Sequence, residues 1–210
     1  MKVLVVASHI DDEVLGCGGT IKKHVDKGDE VYVIFISSHH SKRFNEEIIT
    51  LRKTHAQKVA EFLGIREVFF ADHPLIMLDT IPQLDIVTSL EQIIFHVKPE
   101  ILYCHYETDI NADHRCVYHA SSVWCRPSKT PFIKQVLLYE IFGSTLNFHP
   151  NFYVDISNYI EDKLAALSIY TTEIDVQTRT LDTSRLVAGY RGAEINTEYA
   201  EAFYLYRSII

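Results

Sequence analysis

No apolar run in this 210-residue chain approaches the roughly 18–20 residues needed to cross a bilayer. The opening run at residues 3–7 (VLVVA) is also shorter than the roughly 7–15 apolar residues at the heart of a secretory signal. Positive charge is in deficit: 20 Lys and Arg stand against 28 Asp and Glu, a net charge of -8. A protein that tracks nucleic-acid phosphates needs a basic face, so no nucleic-acid partner is expected. The four cysteines (Cys17, Cys104, Cys116 and Cys125) include no C-x-x-C pair and outline no disulfide framework. Buried thiols in a reduced, cytoplasmic setting are the expectation. A G-x-S-x-G elbow is missing, which disfavours a serine hydrolase. Neither a repeat nor a low-complexity linker divides the chain, and one domain over 1–210 is expected.

What is present is ordinary globular composition, 47% apolar and 23% charged, with a generous 11 histidines. Short β-rich runs at 3–7, 31–36, 67–71, 101–105 and 135–141 alternate with helical-period segments near 16–27, 46–63, 82–97 and 113–124. In the second of these segments Ile48, Leu51, His55, Val59 and Phe62 form one stripe. Gly28 and Gly64 sit where C-terminal stops belong. This alternation predicts an α/β fold with a parallel sheet of right-handed βαβ units, in the order 3-2-1-4-5 or a close relative. The last quarter departs from the pattern, with an extended 152–156 and helices expected near 158–174 and 194–207.

Two polar clusters follow strands of this scheme. Strand one runs into Ser8-His9-Ile10-Asp11-Asp12-Glu13 and then Gly16-Cys17-Gly18-Gly19-Thr20-Ile21. A dinucleotide loop would place a third glycine at Ile21, and three successive carboxylates crowd the position of a pyrophosphate. An acidic helix N-terminus accounts for the carboxylates alone. A divalent-cation site accounts for His9 as well: His9 and Asp12 offer nitrogen and oxygen ligands for zinc or another first-row metal. Asp11 then stands beside the metal as general base toward a water.

Strand four leads into Asp109-Ile110-Asn111-Ala112-Asp113-His114. Strands one and four are neighbours at the switch point of the predicted sheet, where the loops diverge into a crevice. His114 on one lip would face His9 and Asp12 on the other, giving three protein ligands and an open position. Asp113 is placed to orient a ligand, and Asn111 reads equally as a helix cap. After strand five, Ser144 and His149, with Tyr139 nearby, are candidates for contact with substrate hydroxyls, against the plainer reading of a surface loop. Arg43, Arg52 and Arg126 could meet an acidic group or simply face solvent. The remaining histidines, including the adjacent His39-His40 pair and His105, are expected to be packed or surface residues.

The residues His9-Ile10-Asp11-Asp12-Glu13 with Gly16-Cys17-Gly18-Gly19, followed by Asn111-Ala112-Asp113-His114, resemble the hallmarks of the PIG-L and LmbE-like N-deacetylases. Leu51-Arg52 with Leu63-Gly64, and Ala200-Glu201-Ala202-Phe203, extend the resemblance over nearly the whole chain. It implies a Rossmann-like, mostly parallel sheet with helices on both faces. It also implies a zinc hydrolase, with Fe2+ or another divalent metal as alternative, that removes an N-acetyl group from a GlcNAc-type amino sugar. The implied metal ligands are His9, Asp12 and His114; the general base is Asp11, the helper carboxylate Asp113, and Arg52 a possible substrate contact. Ile10 stands where the family has proline. Asn111 stands where it has histidine, and an amide can donate to an oxyanion but cannot act as an acid at neutral pH. The rival readings are an amidase for another N-acyl or thiol-conjugate substrate, and a non-catalytic nucleotide-binding module. Homo-oligomerisation is left open.

Overall fold

The computed structural model describes residues 1–39, 42, 44–173 and 180–209. Its elements are β1 (Lys2–Ala7), α1 (Asp12–Asp26), β2 (Glu30–His39), α2 (Glu46–Leu63), β3 (Glu67–Pro74), α3 (Gln83–Val97), β4 (Ile101–His105), α4 (Ala112–Trp124), β5 (Gln135–Tyr139), β6 (Phe152–Asp155), α5 (Ile160–Ile169), α6 (Leu181–Ala193) and β7 (Ala200–Ser208). The strands form one sheet in the order β3-β2-β1-β4-β5-β7-β6. The first five pair in parallel, as expected, and β7 runs antiparallel between β5 and β6.

Burial explains the sequence of the central strands. β1 lies between two layers, and Val3, Leu4, Val5, Val6 and Ala7 are all fully buried. Val3, Val5 and Ala7 face a core built with α1, α2, α5 and α6, whereas Leu4 and Val6 face one built with α3 and α4. Helices therefore cover both faces of the sheet. Such two-sided burial removes the polar alternation of a half-exposed strand and leaves a continuous apolar run.

Helix ends follow local chemistry. The Asn45 side chain accepts the Ile48 N–H at the start of α2, and Gly64 ends that helix at φ 81°. The buried face of α2 is turned from the expected stripe: Arg52, His55, Ala56, Val59, Ala60 and Leu63 lie inward, while Leu51 and Phe62 are exposed. The small Ala56 and Ala60 let the helix approach the core, a choice that a count of large apolar residues misses.

Two expectations need correction. Helix α1 begins at Asp12 instead of 16, so Gly16, Gly18 and Gly19 lie inside it and not at its start. Their role is close packing: a Cβ on Gly16 would lie 2.4 Å from Tyr139, and one on Gly19 would lie 2.9 Å from Ile156. The expected helix at 194–207 is largely strand β7. Ala200-Glu201-Ala202 favours a helix on propensity, but pairing with both β5 and β6 overrides it. The helix of this region lies earlier, as α6, and the one expected over 158–174 is α5, ending at Ile169. Position 174 lies outside the described residues.

Glu201, read as part of a helix, reaches into α1. Its two oxygens accept the Gly19 and Thr20 N–H groups at 3.0 and 2.7 Å. Lys163 of α5 donates to Glu201 at 2.6 Å and to the Leu15 carbonyl at 2.8 Å. This buried ion pair ties the last strand to the helix that opens the candidate site.

Candidate metal centre

β1 and β4 are hydrogen-bonded neighbours, and their C-terminal ends release the two polar loops on the same edge of the sheet. Ser8 N–H donates to His105 Nε2 across this seam at 3.0 Å. The chain then turns sharply so that the His9 N–H meets Asp12 Oδ2 at 2.8 Å. Asp11, at the hinge of this turn, has φ 127° and ψ -26°. A residue with a side chain is strained there, and such strain persists only where its surroundings impose it.

The turn brings together three ligand atoms. His9 Nδ1 lies 3.3 Å from Asp12 Oδ2 and 3.3 Å from His114 Nε2, and Asp12 Oδ2 lies 3.4 Å from His114 Nε2. The three donors thus form a nearly equilateral triangle. For tetrahedral zinc with bonds of about 2.0–2.1 Å, ligand atoms stand about 3.3 Å apart. All three residues are buried, and they form a group that could hold a metal ion.

The outer atoms of both rings show which lone pairs are free. His9 Nε2 lies 3.0 Å from Asp113 Oδ2, and His114 Nδ1 lies 3.0 Å from Asp109 Oδ2. A carboxylate accepts, so each ring turns its N–H outward and its bare nitrogen inward. Asp109 is itself held by the Ser144 hydroxyl, by Thr145 Oγ1 at 3.0 Å and by the Asn111 N–H at 2.8 Å. Asp113 accepts the Leu78 N–H at 3.0 Å. Two nitrogen lone pairs and a carboxylate oxygen therefore converge, an arrangement that asks for a cation between them. Asp12 Oδ1 is buried and has no hydrogen-bond partner among the described residues. The donor set fits a divalent first-row metal.

The electrostatics agree. Burial works against charge on His9, but the hydrogen bonds to Asp113 and Asp12 outweigh it and raise its pKa to about 10. Burial likewise opposes ionisation of Asp12, but His114 and His105 beside it hold its carboxyl well below the usual range. Asp109 is also held down, to about 2, because His114 and Ser144 overcome the effect of burial. Burial pushes Glu13 up to about 7 despite its hydrogen bond from Tyr170. The carboxylates of Asp113 and Asp12 thus favour positive charge on His9 against the effect of burial.

A family model, PIG-L, described as GlcNAc-PI de-N-acetylase, matches residues 4–125, more than half the chain and both polar loops. The chain belongs to the PIG-L family. "Uncharacterized deacetylase YaiS" of Escherichia coli (strain K12) is 30% identical over 174 residues, covering 79% of this chain and 88% of that protein. The diacetylchitobiose deacetylase of Thermococcus kodakarensis is 27% identical, covering 95% and 81%. Among solved structures, the conserved protein TT1542 of Thermus thermophilus superposes with a TM-score of 0.85 at 22% identity, over 99% of this chain and 96% of that one. That last likeness shows the shared fold.

Other sequence-marked residues have varied places in this PIG-L chain. Asn111 caps α4 by accepting the Asp113 N–H, which turns its amide Nδ2 to within 3.3 Å of His114 Nε2. Arg52 is buried and paired with Glu173 at 2.9 Å, its guanidinium 5.1 Å from the Phe44 ring. Glu173 lines a cleft that also contains Asp11. His149 is exposed, Arg126 donates to the Val123 carbonyl, and Arg43 and His40 lie outside the described residues.

Sequence reading gave His105 no special place and Asp109 no role of its own. The His105 ring is stacked on His114 at 4.2 Å with planes 16° apart, and burial lowers its pKa to about 4. With its Nε2 accepting from Ser8, it packs on the His114 ring and does not join the triangle. The available signal was positional, since His105 ends an inner strand and Asp109 lies in the loop that follows.

Proposed function

We propose that this chain, acting as a single unit over 1–210, is a metal-dependent hydrolase that removes an N-acetyl group from a GlcNAc-type amino sugar or its conjugate. The observation that carries this reading is the convergence of His9, Asp12 and His114, with both ring protons drawn outward by carboxylates. Membership of the PIG-L family and the two deacetylase relatives support the reaction class.

His9, Asp12 and His114 would hold the ion, Zn2+ or alternatively Fe2+. When bound, such an ion lowers the pKa of a water from 15.7 to about 7 and polarises an acyl carbonyl. Asp11 takes the proton from the attacking water, a role worth about a hundredfold to ten-thousandfold, and passes it to the departing sugar nitrogen. Asn111 cannot supply that proton, but its Nδ2 faces the ligand triangle and can donate to the oxyanion. Asp113 keeps His9 in its ligating tautomer. Arg52, held by Glu173 beside the Asp11 cleft, and the exposed His149 are assigned to the rest of the sugar. Ser144 contributes through Asp109.

The test pairs elemental analysis with acetate release from a panel of N-acetylated sugars, free and conjugated, alongside other N-acyl amines. One divalent ion per chain and acetate from at least one sugar are expected. Protein that binds no divalent ion and releases no acetate would overturn the proposal. Release from non-sugar amides alone would move it to the broader amidase reading.

A further inference from the structure

Two buried side chains outside the triangle are linked by hydrogen bonds to the strained backbone of Asp11. Glu13 is 1% exposed and Tyr170 is fully buried. Glu13 Oε2 accepts the Asp11 N–H at 3.2 Å, while Glu13 Oε1 accepts the Tyr170 hydroxyl. Tyr170 follows α5, a helix that packs across α1, so this hydroxyl reaches the turn from a separate element. On its other side the Asp11 carbonyl accepts from the Val14 and Leu15 N–H groups at 3.1 and 2.9 Å. Both peptide groups flanking the Asp11 Cα are thereby fixed, at φ 127° and ψ -26°, and the direction of its Cβ is fixed with them.

We propose that Glu13 and Tyr170 form a clamp that holds Asp11 in this conformation and aims its carboxylate, making both of them positioning residues that act through Asp11. The catalytic consequence rests on the reading of Asp11 as the base, whereas the mechanical claim does not. Without the Tyr170 hydroxyl, Glu13 loses the partner that fixes its carboxylate, and the Asp11 turn is free to relax toward an ordinary φ. A misplacement on the order of 1 Å in a reacting group costs about a hundredfold in rate.

Two readouts on the metal-loaded protein test the clamp. The first is a double-mutant cycle in unfolding midpoint with Asp11→Gly and Tyr170→Phe, a pair chosen because the tyrosine change leaves ring and charge in place. Glycine accepts φ 127° without strain, so Asp11→Gly is expected to raise the midpoint more in the native background than beside Tyr170→Phe. The second is turnover. Tyr170→Phe and Glu13→Gln are each expected to lower kcat by about tenfold to a hundredfold with KM and metal stoichiometry unchanged. Should Tyr170→Phe fail to fold, Glu13→Gln takes its place in both measurements. Equal gains from Asp11→Gly in the two backgrounds overturn the clamp, as does unchanged kcat in an active enzyme. If the wild-type protein hydrolyses no acylated amine, the proposed function falls, and the unfolding cycle still decides whether the clamp exists.

Discussion

Asp113 Oδ2 meets His9 Nε2 at 3.0 Å, and this contact leaves His9 Nδ1 as a bare lone pair 3.3 Å from Asp12. The ring's usefulness as a ligand depends on a carboxylate 104 positions away in sequence. Replacing Asp113 with Ala frees the ring to rotate or change tautomer, and also strands the Leu78 N–H. Asp113→Ala and Asp109→Ala are each expected to weaken metal binding by about tenfold to a hundredfold. Competition with a chromophoric chelator measures this directly, without reference to turnover. Ser144→Ala is expected to have a smaller effect, because Thr145 and the Asn111 N–H still hold Asp109.

Because folding assembles the triangle from two distant loops, metal binding favours the folded state. At a free metal concentration 100 times Kd the stabilisation is about 2.7 kcal/mol. Adding Zn2+ to chelator-stripped protein is therefore expected to raise the unfolding midpoint, and His114→Ala is expected to abolish the rise. A midpoint indifferent to Zn2+ in the wild-type protein would count against the site.

Asp11 provides the sharpest separation of binding from chemistry. It lies beside Asp12 but outside the ligand triangle, so Asp11→Asn should leave the metal bound. An amide cannot take the proton from water, and kcat is expected to fall by about a hundredfold to ten-thousandfold. Steady-state kinetics with metal analysis on the same sample checks both halves. A variant that keeps most of its kcat removes Asp11 from the role of base.

The parallel half of the fold was legible because β1, β2 and β4 are buried on both faces and carry the unbroken apolar runs that such burial requires. The grouping of His9, Asp12 and His114 was legible too, since two polar clusters followed strands that a doubly wound order makes neighbours. β7 was not, because its register depends on β5 and β6, partners that local propensity does not see. His105 and Asp109 escaped for a related reason. Each acts on His114 through a stacking or hydrogen-bond contact that exists only once the loops have closed.

The Lys163–Glu201 pair yields an asymmetric prediction. Glu201→Ala would leave the Lys163 ammonium buried and the Gly19 and Thr20 N–H groups without their side-chain acceptor. Breaking one partner of a buried pair costs about 3–5 kcal/mol, whereas replacing both with apolar residues of similar volume is often close to neutral. Urea unfolding is expected to show Glu201→Ala as strongly destabilised, and Lys163→Met with Glu201→Leu as milder than either single change would suggest. The double variant should still fall short of wild type, because the two N–H groups on α1 remain to be satisfied.

Gly16 connects packing to the metal centre. A Cβ there would strike the Tyr139 ring at 2.4 Å, too close for the pair to coexist without movement. Tyr139 is fully buried; its hydroxyl donates to the Val6 carbonyl at 2.8 Å and lies 3.1 Å from His105 Nε2. His105 in turn stacks on His114, so a displaced Tyr139 pushes on the support of a ligand ring. Gly16→Ala gains up to about 1 kcal/mol in helix propensity, but overpacking costs typically about 1–3 kcal/mol. The net expectation is destabilisation together with weaker zinc binding. Gly28→Ala is the control: a Cβ there meets nothing within 4 Å, although its φ of 82° adds local strain. It should lower the unfolding midpoint modestly and leave zinc affinity unchanged. If Gly16→Ala lowers stability while zinc affinity stays at the wild-type value, the chain of contacts from Tyr139 through His105 does not reach His114.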